Sequence, residues 1–160
     1  YDPNIRPNSI TDKISVKNRV FSILKLANLA KLSEIDLEYL TGHKSPEKGL
    51  NELKKLANCE LILTLGSKGS IYLGHNGLLT QIPAFKVKIA DTIGAGDAFT
   101  AGLIYKLIKQ GKAKFFANIK PNMIFASAVS AIICTKKGGH EALKNLKQVK
   151  SFLAKYGGIL

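Results

Sequence analysis

Short apolar runs alternate with longer segments of three-to-four spacing along this 160-residue chain, and that alternation limits the fold more than any other feature. Parallel strands need a crossover connection, so repeated strand and helix units lead to a layered α/β architecture with a largely parallel sheet. Between Ser15 and Ala27, the residues Val16, Val20, Ile23, Leu24 and Ala27 share one face, which predicts an amphipathic helix, and Leu29 to Leu32 reads as a short strand. Ser33-Glu34-Ile35-Asp36 offers a capping serine and first-turn acids, so a helix starts there and ends near Gly42; another follows Pro46. Glu60 to Leu65 and Ser70 to Leu73 read as strands parted by the tight segment Gly66-Ser67-Lys68-Gly69, and His75-Asn76-Gly77 marks a hairpin turn. Phe85, Val87 and Ile89 alternate with Lys86 and Lys88, which predicts a strand exposed on one side. Beyond Asp97, the residues Phe99, Leu103, Leu107 and Ile108 keep helical spacing as far as Gly111, and Ala98, Ala101 and Gly102 permit close packing. Pro121 suits the first turn of a helix from Asn122 to Cys134, apolar nearly all round and therefore central. Gly138-Gly139 breaks the chain before a last amphipathic helix from about Leu146 to Tyr156, and no repeat or low-complexity linker points to a second domain.

With 46% hydrophobic residues, the chain can build one compact domain or part of a larger one. The longest apolar candidate, Ile124 to Cys134, is interrupted by Ser127 and Ser130 and falls short of the ~18 residues of a membrane span, so no membrane role is expected. The start carries no secretory signal and no initiator Met, Met123 being the one methionine; a chain beginning inside a longer reading frame, or after processing, is expected. Cys59 and Cys134 are far apart, and His43, His75 and His140 fall in unrelated contexts, which argues against a zinc site or disulfide framework and for free thiols in a reducing, cytoplasmic compartment. The net charge of +13 raises the possibility of nucleic-acid binding. Only Arg6 and Arg19 are arginines, however, and the lysines are scattered, which reads as solvated surface and as the coding bias of an AT-rich genome.

Chemistry concentrates in Asp91-Thr92-Ile93-Gly94-Ala95-Gly96-Asp97. A strand, a small-residue loop and a helix start together make an anion site, because free amides and the helix dipole converge where nothing bulkier than Ala blocks access. The loop lacks the Lys-Ser/Thr ending of a Walker A motif and the third glycine of the dinucleotide fingerprint. Asp97 is the distinctive residue: a carboxylate beside an anion hole repels a phosphate unless it takes the proton from a hydroxyl that attacks that phosphate. The plainer alternative is that Asp97 caps the helix and the glycines make a tight turn.

Extended to Ala98 and Phe99, this run resembles the Asp-Thr-x-Gly-Ala-Gly-Asp signature of the ribokinase-like (PfkB) carbohydrate kinases. The resemblance implies a three-layer α/β/α fold with a mostly parallel sheet. It makes Asp97 the catalytic base, in contact with the sugar, and gives the phosphate being transferred to the amides of Gly94, Ala95 and Gly96. Other segments agree in order, so the likeness covers essentially all of residues 1–160, as the C-terminal, ATP-binding and catalytic part of a kinase about twice as long, without its N-terminal half and lid.

Tyr1-Asp2-Pro3-Asn4-Ile5-Arg6-Pro7 is similar to the Asp-Pro-Asn-x-Arg segment of the family's fructokinases and 2-keto-3-deoxygluconate kinases, which places Asn4 and Arg6 near substrate. The alternative there is a proline-bounded strand end with a solvated arginine. Ser33 to Asp36 is similar to the family's Asn-x-x-Glu, which organises magnesium through water; Ser33 stands for Asn and Asp36, one methylene shorter, for Glu. A capping box alone accounts for the same residues. Thr64-Leu65-Gly66-Ser67-Lys68-Gly69 is similar to the nucleotide loop Thr-x-Gly-x-x-Gly, so Thr64, Gly66, Ser67 and Gly69 are expected at the ATP phosphates, although a hairpin with two glycines looks alike. The family's adenine pocket would bring in Phe125, Ala126 and Ser127, whose default role is core packing. A potassium site would use Asp91 and carbonyls near Ile93 and Gly138, and Asp91 serves equally as a structural loop-holder.

The resemblance therefore implies an ATP- and Mg²⁺-dependent kinase acting on a primary hydroxyl of a sugar, with fructose first and 2-keto-3-deoxygluconate as the alternative. It also implies a homodimer formed through the missing lid and neither nucleic acid nor membrane as partner. A non-catalytic basic binding domain is the reading from a different class.

Overall fold

The computed structural model describes residues 1–138 and 143–156, so Gly139 of the expected chain break, and His140, lie outside the described residues. The chain divides into two compact units: Tyr1–Leu65 with Ser70–Gln81, and Gly66–Gly69 with Ile82–Leu160.

The first unit is a sheet with helices. Helix α1 (Lys13–Leu26) starts on Asp12, whose side chain accepts from the Ser15 amide, and buries Val20 and Leu24. Strand β1 (Leu29–Ser33) leads into α2 (Glu34–Thr41), which stops at Gly42 with φ +76°, and α3 (Pro46–Leu56) follows with Ser45 as cap. Strands β2 (Glu60–Thr64), β3 (Ser70–Leu73) and β4 (Leu79–Ile82) complete a sheet of order β1-β2-β3-β4. Pairs β1 and β2 are parallel, with Leu29 opposite Glu60 and Ser33 opposite Thr64. Pairs β2 and β3 are antiparallel, with Thr64 opposite Ser70, so the four strands of this chain form a mixed sheet. The reason is connection length: the α2 and α3 crossover returns the chain in parallel, whereas Leu65 to Gly69 is too short for anything but a reversal. The expected hairpin is present, with the Gly77 amide donating to the Gly74 carbonyl and Gly77 at φ +78°. Leu24, Leu32, Leu50, Leu53, Leu61 and Leu63 form the heart of the core and are fully buried.

The second unit is helical. It holds α4 (Ala95–Gln110), α5 (Lys112–Ala117), α6 (Ile119–Cys134) and α7 (Leu146–Tyr156). Gly102 is where α4 meets α6: a Cβ there would stand 2.8 Å from the Ala126 Cα. Helix α6 is buried on most sides, and Phe85, Phe125, Val129, Ile132 and Val149 join in its core.

Three expectations change. Residues 83–89 form no strand among the described residues, because no described strand pairs with them; Phe85 is buried against Phe152, at 5.0 Å between ring centroids, and Lys86 and Lys88 are exposed. Helix α6 begins at Ile119, three residues early, since Pro121 falls among the first-turn positions whose amides need no partner. Of the apolar stripe on α4, Phe99 and Leu103 are buried and Ile108 is 80% exposed.

Candidate active site

In the second unit, the amides of Ala90 and Asp91 both donate to the Cys134 carbonyl, at 2.8 and 3.3 Å, so the end of α6 holds the entrance of the glycine loop. Asp91 spans the loop. Its Oδ1 accepts from the Ile93 amide at 3.0 Å and its Oδ2 from the Gly138 amide at 3.2 Å. These donors, Ile93 before Gly138, hold its carboxyl below the usual carboxylate range. The loop-holding role is therefore visible in the geometry.

Gly94 is the residue before α4. It has φ +78°, and a Cβ added to it would meet nothing within 4 Å. The Ala95 amide donates to the Thr92 carbonyl at 3.1 Å, which closes the turn. Ala95 thus has its N–H engaged, whereas the amides of Gly94, Gly96 and Asp97 have no acceptor among the described residues. Unpartnered amides at a helix start, with open space at the glycine, suit an anion. Sequence reasoning named Ala95 and missed the amide of Asp97; counting the turn that closes on Thr92 is the signal that would have separated them. The first turn is fastened from beneath, the Ser130 hydroxyl donating to the Ala95 carbonyl at 2.8 Å. Ser130 was also missed, although a serine on an otherwise apolar helix is a sign of a hydrogen-bonding task.

The Asp97 side chain is exposed and makes no hydrogen bond or ion pair among the described residues. The capping alternative does not hold, because Gly94 occupies the cap position and no side chain supplies a cap hydrogen bond to α4. A carboxylate beside free amides, with no structural partner, is able to take a proton.

Gly66–Lys68 form one 3₁₀ turn, closed by the Gly69 amide on the Gly66 carbonyl at 3.1 Å. Gly66 and Ser67 are exposed. Gly69, at φ +98°, admits no other residue, since a Cβ would stand 2.0 Å from the Ile82 carbonyl oxygen. On α6, Ala126 packs against Gly102, and Phe125 stacks on Tyr105 at 5.5 Å; both are core residues, while Ser127 is half-buried.

In the first unit, the Thr64 hydroxyl donates to the Leu32 carbonyl at 3.1 Å, a bond within the sheet. Asn4 Oδ1 accepts from Arg6 Nη1 at 2.6 Å, so these two residues form one polar group. Asp36 is enclosed by the protein. It is 2% exposed, its Oδ1 accepts from the Ile5 amide at 2.6 Å, and its Oδ2 accepts from the Ser33 amide and hydroxyl at 2.7 and 2.6 Å. The capping box with Ser33 is complete. The carboxylate is thus occupied by three protein donors, as the capping-box alternative expects. Among the described residues, no group of three or more His, Cys, Asp or Glu could hold a metal. The thiols of Cys59 and Cys134 are free, and burial pushes both above the ordinary thiol value, which makes them poor nucleophiles. No helix among the described residues is long and apolar enough to cross a membrane.

Comparison with known proteins gives one consistent answer. The family model described as pfkB family carbohydrate kinase matches residues 1–146. Fructokinase-1 of Zea mays is 34% identical over 161 aligned positions, covering 97% of this chain and 48% of that protein. The crystal structure of fructokinase from Vibrio cholerae with fructose, ADP and calcium ion bound superposes with a TM-score of 0.85 at 33% identity, over 95% of this chain and 49% of that one. Aminoimidazole riboside kinase from Salmonella enterica, solved with aminoimidazole riboside and an ATP analog, gives 0.83 at 28% identity, over 96% and 51%. The chain spans about half the length of the relatives it matches.

Proposed function

The chain belongs to the pfkB family of carbohydrate kinases, with a ribokinase-like α/β fold, and on that footing we propose that the whole protein transfers the γ-phosphoryl group of MgATP to a primary hydroxyl of fructose. The observation that carries this reading is the unpartnered, exposed carboxylate of Asp97 one turn from the open Gly94 position. In the reaction, the sugar oxygen bonds to the γ-phosphorus, the bond from that phosphorus to the bridging oxygen of ADP breaks, and the hydroxyl proton passes to an Asp97 carboxylate oxygen. The amides of Gly94, Gly96 and Asp97 face the charge on the moving phosphoryl group and need no reorganisation, being held by α4. Magnesium bound with the nucleotide would neutralise phosphate charge.

Gly66, Ser67 and Gly69, with Thr64 before them, are proposed for the nucleotide and Ser127 for the adenine side, which the exposure of the 66–67 turn supports. Asn4 and Arg6 are proposed for the sugar. A potassium ion would be held by Asp91 and the carbonyls near Ile93 and Gly138. The residues fit it, since a carboxylate has about four acceptor sites and those of Asp91 are not all taken by backbone amides. We place the protein in the cytoplasm, and its dimer contact in the half of its relatives that this chain does not span. The second reading is a sugar acid such as 2-keto-3-deoxygluconate, favoured by the Arg6 guanidinium, which suits a carboxylate.

ADP production by the complete protein with MgATP and fructose, 2-keto-3-deoxygluconate, ribose or no sugar tests this. Turnover confined to fructose is the expected result. Turnover confined to the sugar acid replaces the acceptor, and steep salt-dependent DNA binding without turnover replaces the kinase by a basic binding domain.

A further inference from the structure

We infer that Asp36 is a positioning residue that clamps the turn carrying Asn4 and Arg6, and that magnesium does not depend on it. Its effect on catalysis rests on the sugar-kinase reading; the clamp itself does not.

Asn4 has φ +47°, the one positive φ at a non-glycine residue among those described. Such a conformation costs free energy and persists only where its neighbours over-determine it. Pro3 restricts the chain on one side. On the other, the Ile5 amide is fixed to Asp36 Oδ1 at 2.6 Å, across 31 positions of sequence, and the Ile5 side chain is buried in the core. With Ile5 held, the Arg6 guanidinium closes onto Asn4 Oδ1, and Pro7 begins a short 3₁₀ turn. The other Asp36 oxygen is tied to Ser33 at the head of α2, so the carboxylate joins the Asn4 turn to the end of β1.

The length of the side chain agrees with this task. A glutamate reaches the amide of the capping residue in an ordinary capping box, whereas the shorter aspartate here meets both the Ser33 and the Ile5 amides, at 2.7 and 2.6 Å. Three donors on a buried carboxylate also account for its charge without a cation. The aspartate is therefore no shortened metal partner. Its length fits the two amides.

The test uses the complete protein and the variants Asp36→Asn and Asp36→Glu. In the wild type, the Ile5 amide proton should be shifted downfield and protected from exchange, a reading independent of turnover. In both variants, KM for the sugar should rise at least ~10-fold, while half-saturation by magnesium and KM for ATP stay within ~2-fold of wild type. An Ile5 amide that exchanges as freely as a solvent-exposed one overturns the clamp. So does a raised magnesium requirement in Asp36→Asn with the sugar KM unchanged, or a lowered one in Asp36→Glu. A protein with a protected Ile5 amide and no turnover with any sugar withdraws the kinase reading and leaves the clamp supported.

Discussion

Asp36 and Asp97 each stand third in a helix, α2 in the first unit and α4 in the second, and the residue before each helix separates their fates. Ser33 caps α2 with its side chain and draws Asp36 back into a reciprocal pair, while the Ile5 amide takes the remaining oxygen. Gly94 has no side chain to offer α4, so its amides stay open and Asp97 stays exposed and unpartnered. The helix dipole favours an acid at both positions. One carboxylate is consumed by structure and the other is left without a structural partner, and a cap of one hydroxyl makes much of the difference.

The sharpest test of that contrast is Asp97→Asn, for which turnover of the complete protein should fall at least ~10²-fold with ATP affinity and thermal stability unchanged. Equal losses of affinity and turnover would place Asp97 in binding instead. Asp36→Asn should show the reverse signature in stability, a loss of about 2 kcal/mol by chemical denaturation, because an amide NH₂ must meet a buried N–H. A variant as stable as wild type would mean that the three bonds to Asp36 are dispensable. Gly94→Ala should cost about 1 kcal/mol through its left-handed backbone alone, since a Cβ meets nothing there. A loss several times larger would show that the loop is more crowded than the open space at Gly94 implies.

The smallest effect concerns Asp91 and acid. Its carboxyl is held below the ordinary value of 3.8 by the Ile93 and Gly138 amides, so its stabilising contribution is complete above that value and is lost as pH falls through the lower folded value. Asp91→Asn should flatten the decline of stability below about pH 3.8 and leave neutral pH little changed. An acid limb identical in variant and wild type would remove the loop-holding bonds from the account.

Much of the fold was legible because its signals are local. The α3 start at Pro46, the Gly42 stop, the hairpin at Gly77 and the α7 start at Leu146 all follow from backbone preferences and from side chains within one turn. Helix α5 escaped because six residues are too few for a period; Phe115 anchors it, and buried Asn122 binds its Phe115 carbonyl at 3.0 Å. Segment 83–89 carries the alternation of a strand, yet a strand is defined by its neighbour, which alternation does not supply. The glycine loop was legible as a small-residue turn opening a helix, but which of its amides remain open depended on the turn that closes on Thr92.

By itself the sequence determined the order of most helices and strands, the position of the glycine loop and the family to which it belongs, since each is written in neighbouring residues. Tertiary structure alone decided that Asp36 is tied to Ile5, that Ser130 supports Ala95 and that Asp91 reaches Gly138. These contacts join residues 31, 35 and 47 positions apart, and over such distances a partner is selected by packing, which no local pattern records.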